Sequence, residues 1–270
     1  MYLKVLVDNN TYIDHYYLAE PAVSYYIEDG HEKILFDVGY SDVLLKNAEA
    51  LGIDLGTISK IVISHGHNDH TGGFAYLQEK HDLTKINVIA HPDAFNEKVL
   101  DQQTIGSPLR TEDIKSICKL TLSKTPLRVS ENIIFLGEIP TVHGFEMRKP
   151  IGQQRSGDLF ESDYIYDDTA LVYKNRNGIF IITGCSHSGI CNIIEYAKQV
   201  CNEQRLLGII GGFHLFDVNE KLGSTIEYLV NNGLQEIYPC HCLSFQAKAE
   251  INKYIPVREV GVGMTIALEP

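Results

Sequence analysis

The stretch His65-Gly66-His67-Asn68-Asp69-His70-Thr71-Gly72-Gly73 follows directly on the apolar run Lys60-Ile61-Val62-Ile63-Ser64. Three imidazoles and one carboxylate therefore fall within six positions. At this chain's histidine frequency, composition alone would produce such a string with odds on the order of one in a thousand. Imidazole nitrogen and carboxylate oxygen are the ligand types that hold divalent zinc, iron or manganese, and strand ends are where open α/β sheets place their sites. As solvated loop residues the four groups would lie side by side with their charges poorly compensated. Gly66 lets the backbone bend so that His65 and His67 converge on one ion, while Gly72 and Gly73 let the next helix start close by. Asp69 and His70, aimed differently by the turn, are then free to hold a second ion.

Three strand-like runs precede this stretch, at 2–7, 22–28 and 33–38, the last two joined by Asp29-Gly30. A helix capped by Ser41 follows, with Leu44, Leu45, Ala48 and Leu51 on one face and Gly52 at its end. After it, strands at 60–64 and 87–90 alternate with helices at 72–79 and 93–100; a helix over 111–118 and a strand over 133–136 come next. Residues 147–163 show little periodicity and read as a long loop, a kind of segment that is commonly functional. The second half repeats the plan: strands at 170–174 and 178–183, a helix at 189–200, a strand at 206–210, a helix at 221–231, a strand at 236–238 and a helix at 245–254. A meander followed by strand–helix units thus occurs twice. The expected fold is α/β, a single domain over 1–270 in four αββα layers, with two mixed sheets inside and helices outside; a three-layer α/β sheet fits the same string.

Three histidines of the second half stand just beyond apolar runs: His187 after Ile181-Ile-Thr-Gly-Cys-Ser, His214 after Ile209-Ile-Gly-Gly-Phe, and His241 after Ile237-Tyr-Pro-Cys. Their equivalent placement puts them at one sheet edge and makes at least two of them expected ligands. His91, in Ile89-Ala-His-Pro92, also ends a strand and is a candidate for contact with substrate. His143 has position alone in its favour.

The chain has 270 residues, 44% hydrophobic and 21% charged, enough for a substantial core without disulfides. Its net charge of −12 repels phosphate backbones and anionic lipid heads, so neither nucleic acid nor membrane is an expected partner. No window approaches the roughly 18 apolar residues of a membrane span, and the first residues lack a signal peptide's pattern. The protein is read as cytoplasmic, its six cysteines as reduced thiols. No CxxC pair occurs, which argues against a zinc ribbon.

The stretch 65–73 resembles the signature of the metallo-β-lactamase superfamily of hydrolases, and Leu35-Phe36-Asp37-Val38-Gly39 is similar to the strand-plus-Asp-Gly segment that precedes it there. Within the superfamily, Thr183-Gly-Cys-Ser-His-Ser-Gly189, Gly211-Gly-Phe-His-Leu215 and Pro239-Cys-His-Cys242 resemble the branch that contains the archaeal dihydropterin synthases and many hydrolases without assigned substrates. The resemblance implies the αββα fold with one or two divalent metals between the sheets, zinc first, iron or manganese next. It also implies His65, His67, Asp69 and His70 as ligands, with His241 as the last ligand of the second site. The superfamily's Thr-Gly-Asp, whose carboxylate bridges the metals, is Thr183-Gly184-Cys185 here, and nothing matches the usual third histidine of the first site. His187 is the choice to complete that site. Asp168 is a candidate to approach from the facing strand, and Cys185 binds softly or not at all.

Three functional readings follow. The first is a metal-dependent hydrolase acting through activated water on an ester or phosphate-type small molecule, with Asp69 orienting the water and His214 or His91 serving the leaving group. The second is a synthase-like transferase joining a pterin methyl diphosphate to an aryl ribofuranosyl phosphate, with Arg148, Lys149 and Arg155 as a phosphate clamp. The third is a non-hydrolytic metal-binding or redox protein, supported by Cys185, Cys240 and Cys242. The expected partner is a small-molecule substrate, phosphorylated in the second reading; a homo-oligomer is compatible with all three.

Overall fold

The computed structural model describes residues 1–269. In chain order the first half comprises β1 (Tyr2–Val7), β2 (Ser24–Asp29), β3 (Glu32–Phe36), α1 (Val43–Ala50), β4 (Lys60–Val62), α2 (Asn68–Thr71), α3 (Phe74–Lys80), β5 (Asn87–Ala90), β6 (Lys98–Leu100), β7 (Gln103–Thr104), α4 (Thr111–Ile117) and β8 (Lys119–Leu122). The second half comprises β9 (Leu127–Arg128), β10 (Ile133–Phe135), β11 (Gln153–Ser156), β12 (Leu159–Ser162), β13 (Ala170–Asn175), β14 (Gly178–Thr183), α5 (Ile190–Cys201), β15 (Leu206–Gly211), α6 (Glu220–Asn231), β16 (Tyr238–Pro239), α7 (Phe245–Ile251) and β17 (Thr265–Ala267).

Strand alternation explains the layers. In β3, β4 and the residue just after β4, Leu35, Ile61 and Ile63 face outward onto Leu44 of α1 and Phe74 and Leu77 of α3, whereas Ile34, Phe36 and Val62 face inward. In β14, Ile179 and Ile181 face α5 and α6, and Phe180 and Ile182 face inward. Both faces of each central strand are thus buried, as period-two side chains in continuous apolar runs require. The inward sets meet in one core shared by the two sheets. The result is the expected αββα sandwich.

One sheet has the order β17-β1-β2-β3-β4-β5-β8, the other β16-β15-β14-β13-β10-β9. Each passes from antiparallel to parallel pairing, at β3 in the first and at β14 in the second. Register aligns the strand exits: Ile182 lies opposite Ile210, and Gly211 opposite Pro239, so the loops carrying Cys185, His187, His214 and His241 leave at one edge. The exits of β3 and β4, carrying Asp37 and His65, meet that edge from the other sheet.

A third sheet, β12-β11-β6-β7, overturns two sequence expectations. Residues 147–163 are not a plain loop, since β11 and β12 form a hairpin turning at Gly157. Its residues are almost all exposed, and its two apolar ones, Leu159 and Phe160, are adjacent, leaving no apolar alternation to read. The helix expected over 93–100 is absent; β6 takes its place and pairs with β11 and β7. Lys98 decides this, because its ammonium is fully buried between Asp163 (2.7 Å) and Asp167 (3.0 Å), a pairing that overrides local propensity.

The glycines beside the histidines act by close approach rather than by left-handed backbone. A Cβ on Gly73 would lie 1.9 Å from the Val38 carbonyl oxygen, and one on Gly66 would lie 2.0 Å from that of Ala94. Gly73→Ala is expected to destabilise the fold by about 2–4 kcal/mol, because backbone has to move. Gly223→Ala, in the exposed first turn of α6 with open space around it, is expected to stabilise by about 0.5–1 kcal/mol. Urea unfolding of both variants checks the pair; equal effects would contradict the steric reading.

Candidate metal centre

Asp37, at the exit of β3, is fully buried and organises the site. One carboxylate oxygen accepts the Ser64 N–H (2.7 Å), while the other accepts the Ser64 hydroxyl (2.7 Å) and His70 Nδ1–H (2.7 Å). His70 Nε2 is thereby directed at Cys185 Sγ (3.2 Å) and Asp69 Oδ2 (3.4 Å). Because the single Ser64 hydroxyl hydrogen goes to Asp37, Ser64 accepts from His65 Nδ1–H (3.0 Å) and leaves His65 Nε2 bare toward His67 Nδ1 (3.1 Å). A carboxylate or hydroxyl that fixes the far nitrogen of an imidazole is the usual outer support of a metal ligand.

The donors gather in three overlapping groups: Asp69, His70, Cys185 and His241; His65, Cys185 and His187; and His65, His67 and Asp69. Within each, the donor atoms all lie within 4.8 Å of one another. His67 and His187 each present a buried Nε2 without a hydrogen-bond partner, and His241 Nε2 faces Asp69 Oδ2 at 3.2 Å. Such orphaned lone pairs are costly unless something binds them. The donor set of imidazole, carboxylate and thiol suits a divalent transition metal, and two groups sharing Cys185 suit two ions. The six sequence-derived candidates His65, His67, Asp69, His70, His187 and His241 are thus brought together. Cys185, left open in the sequence, joins two of the groups; its place in Thr183-Gly184-Cys185 was the signal.

Second-half residues are held with care. The His241 backbone N–H donates to Asp8 Oδ1 (3.1 Å), and its Nδ1 faces Asn9 Oδ1 (3.0 Å). Asp37, Ser186, His214 and His241 all have left-handed backbone, with φ of 60°, 59°, 47° and 54°. Non-glycine residues in that region cost energy and cluster at functional sites. Beneath the His65–His70 loop, Asp167 accepts the Gly66 N–H (2.7 Å) and the Lys98 ammonium. Burial pushes Asp167 up, but Lys98 and its hydrogen bonds bring it below the ordinary carboxylate range.

Other expectations are corrected. His91 does not line the cleft; its buried ring faces Glu138 (3.5 Å) and Asp93 (3.6 Å), which fixes it at the end of β5. His143 packs on Phe145 and Tyr228 among the helices outside the second sheet. Asp168 turns a carboxylate oxygen to the N–H and hydroxyl of Ser188 and belongs to none of the three donor groups. Arg148 donates to the Ile139 and Ile165 carbonyls and Arg155 to Glu97, so neither reaches the cleft, and Lys149 does not line it. His214 does line it, with its ring 4.4 Å from that of His187.

Burial sets the protonation states. It holds His65 and His187 well below the ordinary imidazole range, aided by neighbouring imidazoles, and takes His67 and His214 to about 4. His70 is opposite: burial lowers it, but Asp69 and Asp37 outweigh burial and raise it. Burial raises Asp69, yet His70 and His241 carry it well below the carboxylate range. Burial, with Cys242 nearby, raises the Cys185 thiol, so its thiolate form needs a cation.

A pH dependence follows for the metal-free protein. The unfolded chain takes up histidine protons near pH 6.5, whereas folded His67 and His214 do so only near 4. Between these values the unfolded state binds more protons, so stability falls as pH falls. His70 acts in another window: its contribution is full below about pH 6.5 and is lost as pH rises through its raised value. Urea midpoints measured from about pH 6.5 down to about pH 4.5 are expected to fall, and to fall less in His214→Gln. A flat profile would contradict the assigned burial effects.

The sequence pattern of the Metallo-beta-lactamase superfamily matches residues 18–153. An uncharacterized protein of Methanocaldococcus jannaschii is 33% identical over 256 residues, covering 93% of this chain and 94% of its own length. The 7,8-dihydropterin-6-methyl-4-(beta-D-ribofuranosyl)-aminobenzene-5'-phosphate synthase of the same archaeon is 32% identical over 230 residues, covering 80% of this chain and 77% of its own. Among solved structures, Tm1679, described as a metal-dependent hydrolase of the beta-lactamase superfamily, superposes over 100% of both chains with a TM-score of 0.84 and 26% identity. No helix of the described residues is long and apolar enough to cross a membrane. With two sheets whose facing edges pool imidazoles, a carboxylate and a thiol, this chain belongs to the metallo-β-lactamase superfamily.

Proposed function

We propose that the protein is a metal-dependent hydrolase that directs activated water at an ester or phosphate-type bond of a small molecule. The observation that carries this is the pair of donor groups meeting at Cys185, with the buried Nε2 atoms of His67 and His187 otherwise unpartnered. His65, His67 and His187 would hold one ion, and Asp69, His70 and His241 the other, with Cys185 between them. Zinc fits this set best, iron and manganese next. A bound divalent cation supplies a lowered pKa for coordinated water and polarises the oxygen of the bond to be broken.

The chain's own groups supply the rest. Asp69 is ionised at neutral pH and half-buried, so its carboxylate orients the attacking water and accepts its hydrogen bond. His214 is neutral at pH 7, and its N–H donates a hydrogen bond to the leaving group from the wall of the cleft. Asp37 and Ser64 keep His70 and His65 in the tautomers that aim bare nitrogens inward.

The synthase relative favours a second reading, a transferase with a diphosphate leaving group. Its expected clamp of Arg148, Lys149 and Arg155 lies away from the cleft, which weighs against it. Product analysis separates the two: inorganic diphosphate released only when both pterin diphosphate and arene are present would replace hydrolysis with transfer. A coloured iron centre without turnover, seen by metal analysis and optical spectroscopy after anaerobic purification, would point to the redox reading.

His67→Ala and Asp69→Ala are expected to lower metal content and reduce turnover about 100-fold or more, with unchanged circular dichroism. Full metal stoichiometry in both variants would refute their assignment. In the cobalt-substituted protein, Cys185→Ser is expected to abolish the sulfur-to-cobalt charge-transfer band; a band that survives would remove Cys185 from the ligand set.

A further inference from the structure

The cleft over the donor cluster has a volume near 610 Å³, the size of a small-molecule site. Three separate segments wall it, and each wall is apolar. Pro21 and Tyr40 form one, tied together by Glu20, whose carboxylate accepts the Tyr40 N–H (3.0 Å), the Ser41 N–H (3.3 Å) and the Ser41 hydroxyl. Leu100, Ile105 and Ile151 form the second, brought in by the third sheet, which is docked on the metal loop through Asn68 N–H to the Ile105 carbonyl (2.8 Å) and a bridge between His67 and Gly106. Phe216 forms the third, its ring edge-on to His214 at 4.8 Å.

Tyr40, Phe216 and Leu100 remain 51%, 51% and 41% exposed at the mouth, so apolar surface waits uncovered around a polar floor. Among the described residues that line the cleft, none is Lys or Arg. Phosphate groups are ordinarily held by guanidinium or ammonium donors, and here a phosphorylated tail would meet hydrocarbon, the Asp69 carboxylate and only neutral donors, the amides of Asn9 and Asn68, the Tyr40 hydroxyl and the His214 ring.

Resting on the hydrolase reading, we infer that the substrate is a carboxylic ester, thioester or lactone whose non-reacting part is an aryl or alkyl group without phosphate. Apolar contact with the three walls then supplies recognition, while the donor cluster handles the bond to be broken.

The test uses the full chain loaded with zinc. Methyl phenylacetate is compared with methyl acetate, phenyl phosphate and phenyl diphosphate. The expected result is a kcat/KM for methyl phenylacetate about 10-fold or more above that of the acetate and of both phosphates. Phe216→Ala and, on the opposite wall, Leu100→Ser are expected to raise KM for the phenylacetate about 10-fold at unchanged metal stoichiometry. Preference for either phosphate, or equal handling of phenylacetate and acetate, would overturn the inference. If nothing is hydrolysed, calorimetric binding of phenylacetate and acetate to the same protein decides. Tighter phenylacetate binding that weakens in Leu100→Ser upholds the apolar walls while the hydrolase reading fails; equal affinities sink the walls themselves.

Discussion

A buried carboxylate is tolerable only when nearly every lone pair is taken, and Asp37 meets that condition through one backbone N–H, one hydroxyl and one imidazole. Those three bonds tie the exit of β3 to the exit of β4 and to the short helix that carries His70. Remove the carboxylate, and the Ser64 hydroxyl no longer has to receive the His65 proton, nor does His70 have to present its other nitrogen inward. The orientation of His65 and His70 thus traces to one side chain that belongs to none of the donor groups. The Lys98, Asp163 and Asp167 triad plays a similar part from below, tying the third sheet to the Gly66 amide.

The second sheet contributes under strain. Ser186, His214 and His241 sit in backbone conformations that cost energy for any residue with a Cβ, and all three lie just beyond the ends of adjacent strands. Parallel strands in register deliver their loops to one edge at no further cost. What the fold then spends is local: a left-handed residue to reverse the chain and turn an imidazole back over the edge. Burial compounds the expense by keeping His65, His67 and His187 uncharged, the form in which imidazole can coordinate.

Much of this was legible in the residues. Continuous apolar runs announced strands buried on both faces, and the doubled meander announced two sheets. The dense string from His65 to His70, together with histidines placed just past later strands, announced where donors would meet. Other parts left no local trace. The hairpin at 153–162 is exposed and mostly polar, with Leu159 and Phe160 side by side, so nothing in its pattern separates strand from loop. Lys98 reads as a helical surface residue until Asp163 and Asp167, some 65 residues later, close around it. His91 shares the strand-end position of the true cluster, yet its ring turns toward Glu138 and Asp93, a choice made by partners distant in sequence. The part of Cys185 was withheld for a different reason: one position departs from the superfamily's carboxylate, and only three-dimensional proximity shows that the sulfur stands between both sets of imidazoles.

The donors come from both halves of the polypeptide, His65, His67, Asp69 and His70 from the first and Cys185, His187 and His241 from the second. During synthesis the early quartet leaves the ribosome well before the late trio exists. Until residue 241 has emerged and the second sheet has closed, an ion captured by the nascent chain lacks the ligands that would retain it. A cation held by both sets of donors would therefore need both sheets in place, so the complete ligand set exists only in the folded chain.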